Sequence, residues 1–298
     1  MGLFGFIGTE GIVKNLGIKD GSVTGGDNVG ALAGVNGNNG EEIDGSTVTN
    51  VYATADVSGQ AAVDGLVGRN FNGVIEDAHA KGAVDVDGNS NNVGGLVGKN
   101  ESGSIVASYW DTKTTGQDTS AGGTGLPTDD MKDPFTFIDA GWDFDDVWGQ
   151  SRTNNNSGYM VLKVLDDTAY DYYVRLDNTD TDKTFGDSNP DLSVISLDGP
   201  GSGKVTLQWG DAITRITDVG TYAYDQSNVL DPRYDVGRRD DYYINYGSGS
   251  LTAEPPVTRS RETQYLTYFI YRSVCQRPGT RFRHGPDPTG CRSYSAVD

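Results

Sequence analysis

Four leucines, Leu3, Leu32, Leu66 and Leu96, recur at spacings of 29, 34 and 30 residues. Each sits in a glycine-framed run. The fullest copy reads Asn92-Val93-Gly94-Gly95-Leu96-Val97-Gly98-Lys99-Asn100-Glu101-Ser102-Gly103-Ser104-Ile105. Others read Gly65-Leu66-Val67-Gly68-Arg69-Asn70-Phe71-Asn72-Gly73-Val74-Ile75, Gly30-Ala31-Leu32-Ala33-Gly34-Val35-Asn36 and Gly2-Leu3-Phe4-Gly5. A period in this range is the mark of a stacked repeat architecture.

Further columns support the stack. Thirteen residues after Leu3, Leu66 and Leu96 come Leu16, His79 and Tyr109, with Tyr52 as the equivalent in the second copy. That copy carries an insertion within Gly37 to Thr47. Val23, Val57 and Val84 form another column. Every period thus holds three short β-type runs between Gly, Asn and Asp, which supply the positive φ of tight corners. One such unit cannot bury its own apolar side, whereas stacked units can. Residues 1–125 are therefore expected to form a right-handed parallel β-solenoid, with the insertion looping outward at a corner. Each coil adds about 5 Å of length, the spacing of adjacent strands.

The pattern Val-Gly-Gly-Leu-Val-Gly-x-Asn-x-x-Gly-x-Ile, with a later Tyr among small residues, resembles the GLUG repeat of large bacterial surface and secreted proteins. Ser108-Tyr109-Trp110-Asp111-Thr112 resembles the segment C-terminal to the last repeat in such proteins. So do Gly125-Leu126-Pro127-Thr128, Met131-Lys132-Asp133-Pro134 with Phe137, and Gly141-Trp142-Asp143-Phe144-Asp145-Asp146-Val147-Trp148. The match ends at Asn156-Ser157-Gly158-Tyr159, where Met160 stands in place of the family's usual proline.

Residues 126–168 read as a capping and transition segment. Pro127 and Pro134 break the repeat, and Trp142, Phe144, Val147 and Trp148 supply large apolar surface. The ends of a repeat stack need cover, so these aromatics are expected to form it. An exposed aromatic platform for carbohydrate is the sharper alternative.

Residues 169–254 change character. Strands are expected at Asp171 to Leu176, Lys204 to Trp209, Gly220 to Tyr224, Tyr242 to Tyr246 and Gly249 to Thr252. Phe185-Gly186-Asp187-Ser188-Asn189-Pro190, Val219-Gly220-Thr221-Tyr222 and the run Tyr243 to Thr252 resemble the MBG module, a small β-sandwich-like domain of bacterial exoproteins. GLUG repeats with MBG modules after them resemble filamentous-haemagglutinin-like adhesins of two-partner secretion systems. That resemblance implies an outer-membrane secretion partner for a full-length parent, and host or cell-surface glycans or proteins as contacts. Residues 255–298 hold both cysteines, Cys275 and Cys291, and Arg259 to Asp298 contains seven arginines, no lysine and three acidic residues. This tail reads as a disordered or out-of-frame end, with a Cys275–Cys291 hairpin as an alternative.

The fold class expected is all-β. A formal charge of −19, from 42 acidic and 23 basic residues, argues against nucleic acid and anionic membranes as partners. No stretch approaches the ~18 apolar residues of a membrane span. The first residues already belong to the repeat, with no basic and apolar leader. An exported protein would then be represented here by a piece of a longer chain, and the expected location is extracellular or cell-surface.

Signatures of chemistry fail on inspection. Gly199-Pro200-Gly201-Ser202-Gly203-Lys204 lacks the first Gly of a phosphate loop, at Asp198, and the Ser/Thr after Lys, at Val205. Asn178-x-Asp180-x-Asp182 and Asp85-x-Asp87-x-Asn89 lack the Gly of a calcium loop, at Lys183 and Ser90, which leaves only adventitious calcium there. The two histidines are His79, in the stacking column, and His284, in the tail. No catalytic, cofactor or metal residue is assigned. A β-helical polysaccharide lyase or glycosidase is the enzymatic rival, with Asp143, Asp145 and Asp146 as carboxylates and Asp143 and Asp145 on one strand face. The reading adopted is a non-catalytic adhesin fragment, a stiff stalk with a contact surface. A purely structural stalk is its alternative.

Overall fold

The repeated leucines stack directly. Leu32 N donates to Leu66 O at 2.9 Å, and Leu66 N donates to Leu96 O at 3.0 Å. All three side chains are fully buried. The computed structural model describes residues 1–37, 45–88, 92–152, 158–176, 180–184, 187–188, 196–209, 218–224, 229–247 and 249–254. One compact unit spans Met1–Pro256. The tail from 255, most of the insertion (38–44), and Phe185, Gly186, Asn189 and Pro190 of the MBG-like motif lie outside the described residues.

Successive repeats lay their strands into four sheets, the first three repeats into all four and the fourth into the first two, and pairing within these sheets is parallel. The first, here the asparagine sheet, is Phe4–Ile7, Ala33–Gly37, Val67–Phe71 and Val97–Glu101. The long sheet holds Ile12–Ile18, Thr47–Ala53, Val74–Ala80, Tyr109–Asp111 and Thr124–Leu126, with Ser104–Val106 also on Val74–Ala80. The third is Ser22–Thr24, Asp56–Gly59 and Val84–Val86, which aligns Val23, Val57 and Val84 as expected. The fourth is Asp27–Gly30, Ala61–Asp64 and Val93–Gly94. One apolar cluster draws side chains from all four sheets, among them Val29, Val48, Val57 and Val67.

The long strands do not alternate simply. Val48 and Val51 both enter the core although they stand three residues apart. Between them Asn50 adopts φ +54°, which shifts the alternation by one residue. Asn15 (φ +54°), Asp77 (φ +50°) and Ala107 (φ +42°) occupy the same place in their repeats. Left-handed backbone is thus itself stacked, and Asn and Asp tolerate it better than most residues.

One expected column needs correction. Leu16 pairs with Val51 and joins the core, while Gly17 pairs with Tyr52. The outward column is therefore Gly17, Tyr52, His79 and Tyr109. Ile12 and Val74 are register equivalents of Thr47, yet Ile12 lies nine residues after Leu3 and Val74 eight after Leu66. The turn at Glu10, with φ +60°, absorbs the extra residue.

The fourth repeat is covered by the residues just after it. Gly95 N donates to Thr119 O at 3.0 Å and Ala121 N donates to Val97 O at 2.8 Å. Ser120 Oγ meets both the N–H and the carbonyl of Val97 at 2.9 Å. These contacts pair Gly95 and Val97 with polar groups of the chain that follows, while the Trp110 ring packs on Gly95.

Beyond the repeats, Thr112–Thr115 and Pro134–Ile138 are short helices, and Trp148–Gln150 pairs antiparallel with Met160–Leu162. The remaining strands form three small sheets. Tyr172–Leu176 lies between Leu197–Asp198 and Tyr242–Asn245. Ser250–Glu254 lies between Thr181–Thr184 and Gly220–Ala223, and Val205–Trp209 pairs with Val229–Tyr234. Two small cores hold them, one around Leu176, Tyr224 and Leu251, the other around Val174, Val205 and Tyr242.

Candidate functional site

The largest concentration of aromatic side chains lies along the long sheet. In that sheet Val51 and Ala53 face the core, so Tyr52 faces away from it. His79 and Tyr109 share its register. Against this column pack Phe137, Trp142 and Trp148. His79 stacks on Tyr52 with ring centroids 5.6 Å apart, and Trp142 and Trp148 lie 4.3 Å apart. The indole N–H groups anchor the segment: Trp142 Nε1 donates to Ala107 O at 2.8 Å, and Trp148 Nε1 donates to Asn50 Oδ1 at 3.1 Å.

These anchors reach different repeats, so the segment runs along the side of the stack and braces it across copies. That differs from the end cover expected from sequence. Trp142, Phe144 and Trp148 are 4%, 1% and 0% exposed, so no aromatic platform for a carbohydrate is present there. The physical reason is the outward column. Tyr52, His79 and Tyr109 make the long sheet apolar on its outer face too, and a sheet apolar on both faces needs layers on both sides.

His79 is fully buried in this layer. Its Nε2 is 2.9 Å from Met160 O, which makes Nε2 the protonated nitrogen, while Nδ1 meets no partner. Burial lowers its pKa to about 4, with the nearby Lys81 ammonium adding to the effect. It is therefore a neutral stacking group. Tyr52, whose hydroxyl is also buried without a partner, is pushed up to about 12 by the same burial.

Asp111 is the polar hub between the stack and the brace. Its Oδ2 accepts from Tyr159 Oη at 2.6 Å and Thr128 Oγ1 at 2.8 Å, and its Oδ1 caps the short helix through Lys113 N and Thr114 N. Burial, then the bond to the Asp111 carboxylate, raises the Tyr159 phenol above its ordinary value. A carboxylate this fully engaged has no lone pair to spare for chemistry.

The acidic candidates resolve similarly. Asp143, Asp145 and Asp146 lie in a turn and not on a strand. Asp143 Oδ1 accepts from the backbone N–H of Asp145 at 3.0 Å and Asp146 at 2.9 Å, a side-chain turn that competes with extended backbone. Lys163 Nζ fills the concavity, donating to Phe144 O at 2.9 Å, Asp145 O at 3.1 Å and Asp171 O at 3.3 Å. Gly199 to Lys204 forms the loop between Leu197–Asp198 and Val205–Trp209, ending in a 3-10 turn. Asn89 and Asn178 of the calcium-like runs lie outside the described residues. Among the described residues no three His, Cys, Asp or Glu side chains converge to hold a metal.

Two features escaped sequence reasoning. Asn36, Asn70 and Asn100 form a side-chain ladder along the stack, buried at Asn36 and Asn70 and half-buried at Asn100, linked at 2.8 Å and 2.9 Å. Their signal was visible as the Asn of each Gly-x-Asn, which reads equally well as corner punctuation. Asp64 is the other. It pairs with Gly30 and Gly94 and is fully buried, with neither oxygen hydrogen-bonded. The amides of Gly94 and Gly98 face it without reaching bonding geometry, and burial raises its pKa well above the carboxylate range.

Comparison with known proteins gives two partial relatives. A protein of Evansella cellulosilytica whose name describes it as a Gly-rich membrane protein is 45% identical over 111 residues, covering 35% of this chain and 13% of that protein. Halomucin of Haloquadratum walsbyi is 36% identical over 81 residues, covering 27% of this chain and 1% of its own length. The chain thus spans a small part of either relative. No family model matches, and no solved structure matches. No described helix is long and apolar enough to cross a membrane.

Proposed function

We propose that the chain is a non-catalytic segment of a larger secreted or cell-surface adhesin. Its repeats wind as a right-handed parallel β-solenoid that provides a stiff stalk and a contact surface for cell-surface glycans or proteins. The observation that carries this is the register: successive repeats pair in parallel, the first three in four sheets and the fourth in two of them, and one core collects side chains from all four sheets. Such a stack resists bending because every coil is bonded to its neighbours along the axis. The lateral aromatic brace stiffens it further by tying Asn50 to Ala107 through one packed layer. The short share of two longer relatives, one named for a membrane location, agrees with a segment of a large surface protein. The GLUG and MBG resemblance points the same way.

The test pairs a glycan array and cell-binding assay with a carbohydrate-cleavage panel on the purified chain. Retention without bond cleavage is expected. Glycosidic cleavage by folded protein would overturn the non-catalytic assignment, and absence of any retention would reduce the function to a stalk alone.

A further inference from the structure

The two ends of the repeat stack differ. Phe4–Ile7, Ile12–Ile18, Ser22–Thr24 and Asp27–Gly30 all belong to the first repeat, and each is the edge strand of its sheet. They pair on the side of the second repeat, as where Phe4 N donates to Leu32 O at 2.8 Å. Among the described residues no strand pairs on their other side. Leu3, Phe6 and Ile12 are 58%, 53% and 69% exposed there, and Phe4 is exposed beside them, whereas the later leucines of the same column are fully buried. At the opposite end, residues 119–121 bond to Gly95 and Val97, and the Trp110 ring packs on Gly95. The first repeat thus lacks the polar outer face that keeps the end of a repeat array soluble.

The molecule itself shows what fits this face. The equivalent face of the second, third and fourth repeats is covered by the first, second and third, so a coil of this same chain covers it three times over. Nothing along Phe4–Ile7 turns another strand away. It holds no charge, no proline and no left-handed residue, the devices that blunt natural sheet edges. Charge permits self-association at this end. Residues 1–30 carry Glu10, Asp20 and Asp27 against Lys14 and Lys19, a balance of −1 (2 − 3) in a chain of −19. Two copies can therefore meet here without the repulsion that the acidic body imposes elsewhere.

We propose that the first-repeat end docks on the same end of a second copy, giving a closed head-to-head dimer. A two-fold axis through the junction runs the facing Phe4–Ile7 strands antiparallel, so their edges can pair and join the two sheets. Leu3, Phe4, Phe6 and Ile12 then become interior, which removes an apolar patch from water. The opposite end of the stack is already covered, so association closes at two copies instead of growing into a fibre. A lone foreign strand would satisfy one edge and leave much of the apolar patch wet, whereas a second copy covers both together. In the dimer two stalks run in opposite directions from one junction, and any contact surface they carry is presented twice. Dimerisation needs only the bare coil, so it stands whether or not the chain binds glycans.

Sedimentation velocity of the full chain across a range of concentrations tests this, under reducing conditions so that Cys275 and Cys291 cannot link copies. A monomer–dimer equilibrium is expected, with a dissociation constant on the order of micromolar for a face one coil wide. Phe6→Lys and Ile12→Lys should each raise that constant at least about a hundredfold, because the two-fold removes each apolar side chain twice and brings two ammonium groups together. Both side chains are exposed in a single copy, so the monomer keeps its fold and its circular dichroism. Val164→Lys, at a valine 82% exposed outside the repeats, should leave the equilibrium unchanged. Hydrogen exchange locates the contact: amides of Phe4–Ile7 should slow as the dimer forms, and those of Val97–Glu101 should not. A chain that stays monomeric would overturn the proposal and leave this face to a coil of another polypeptide. A dimer indifferent to both lysine substitutions, protection at Val97–Glu101 instead, or growth into larger polymers would overturn it as well.

Discussion

Asn70 bridges the asparagines above and below it. Its Oδ1 accepts from Asn36 Nδ2 at 2.8 Å, and its Nδ2 donates to Asn100 Oδ1 at 2.9 Å and to Gly73 O at 3.1 Å. Ser46 closes one end by donating to Asn36 Oδ1 at 2.6 Å, and Asn100 closes the other on Gly103 O at 3.1 Å. A Cβ at Gly103 would lie 2.1 Å from Asn70 Nδ2, so glycine there is required by the ladder's approach. Asn70→Ala would strand a donor on buried Asn36 and remove the partner of the half-buried Asn100 acceptor. The expected cost is about 3 kcal/mol, read as a fall of several degrees in melting temperature. Asn100→Ala, at the end of the ladder, should cost less.

Asp64 is an intruder in a glycine column. Gly30 and Gly94 flank it in register, and neither of its oxygens finds a hydrogen bond. Its folded pKa is raised, so the folded chain holds a proton that the unfolded chain releases above about pH 4. Stability from this group is therefore complete below that point and is lost as pH rises from it toward the raised folded value. Asp64→Gly should stabilise the fold by about 2 kcal/mol at pH 7 and gain progressively less toward pH 3. Thermal melts of both proteins across that range would check it, and a gain independent of pH would refute the protonation account.

Much of the repeat was legible because stacking makes equivalent positions converge. Leu32, Leu66 and Leu96 are together in the core, as are Val23, Val57 and Val84. Leu16 misled because counting from Leu3 ignores one residue absorbed at Glu10, and a one-residue slip exchanges inward for outward. The place of Trp142 and Trp148 was not legible. Their size shows that they must be buried, but only the outward row of Tyr52, His79 and Tyr109 decides against which surface. Arg152 donates to Asp240 O across nearly ninety positions of the chain. No local pattern announces such a pairing. Val229–Tyr234 was not among the strands expected, because its apolar pair Val229-Leu230 is followed at once by Asp231-Pro232-Arg233.

His79 gives the opposite pH signature to Asp64. Its folded pKa of about 4 lies below the ordinary histidine value, because the aromatic layer excludes water. The unfolded chain takes up a proton below about pH 6.5 and the folded chain does not until about pH 4. Stability is complete above pH 6.5 and lost as pH falls through this window, by about 3 kcal/mol in total. Asp77, raised to about 6 by burial and by neighbouring Glu76, tilts the other way, so the test is a difference. His79→Phe should be destabilised at pH 7 by loss of the bond to Met160 O, yet lose less than wild type between pH 6.5 and pH 4. Parallel stability curves for the two proteins would show that His79 is not the acid-sensitive group.

The stacked left-handed positions make a last, graded prediction. Asn15, Asn50, Asp77 and Ala107 all hold positive φ, and Ala107 is the one without a polar side chain to support it. An ordinary L residue spends about 1–2 kcal/mol in this conformation. Ala107→Gly relieves that cost and keeps the carbonyl that accepts from Trp142 Nε1. It forfeits one methyl against the aromatic layer, about 0.8 kcal/mol at most. A net gain of about 0.5–1 kcal/mol is expected in chemical denaturation. Asn50→Ala should move the other way and further. It adds the backbone penalty, removes the bond to Asn15 Oδ1 at 3.1 Å, and leaves the buried indole N–H of Trp148 without its acceptor. If both substitutions shifted stability in the same direction, strain at this column would not be what sets the effect.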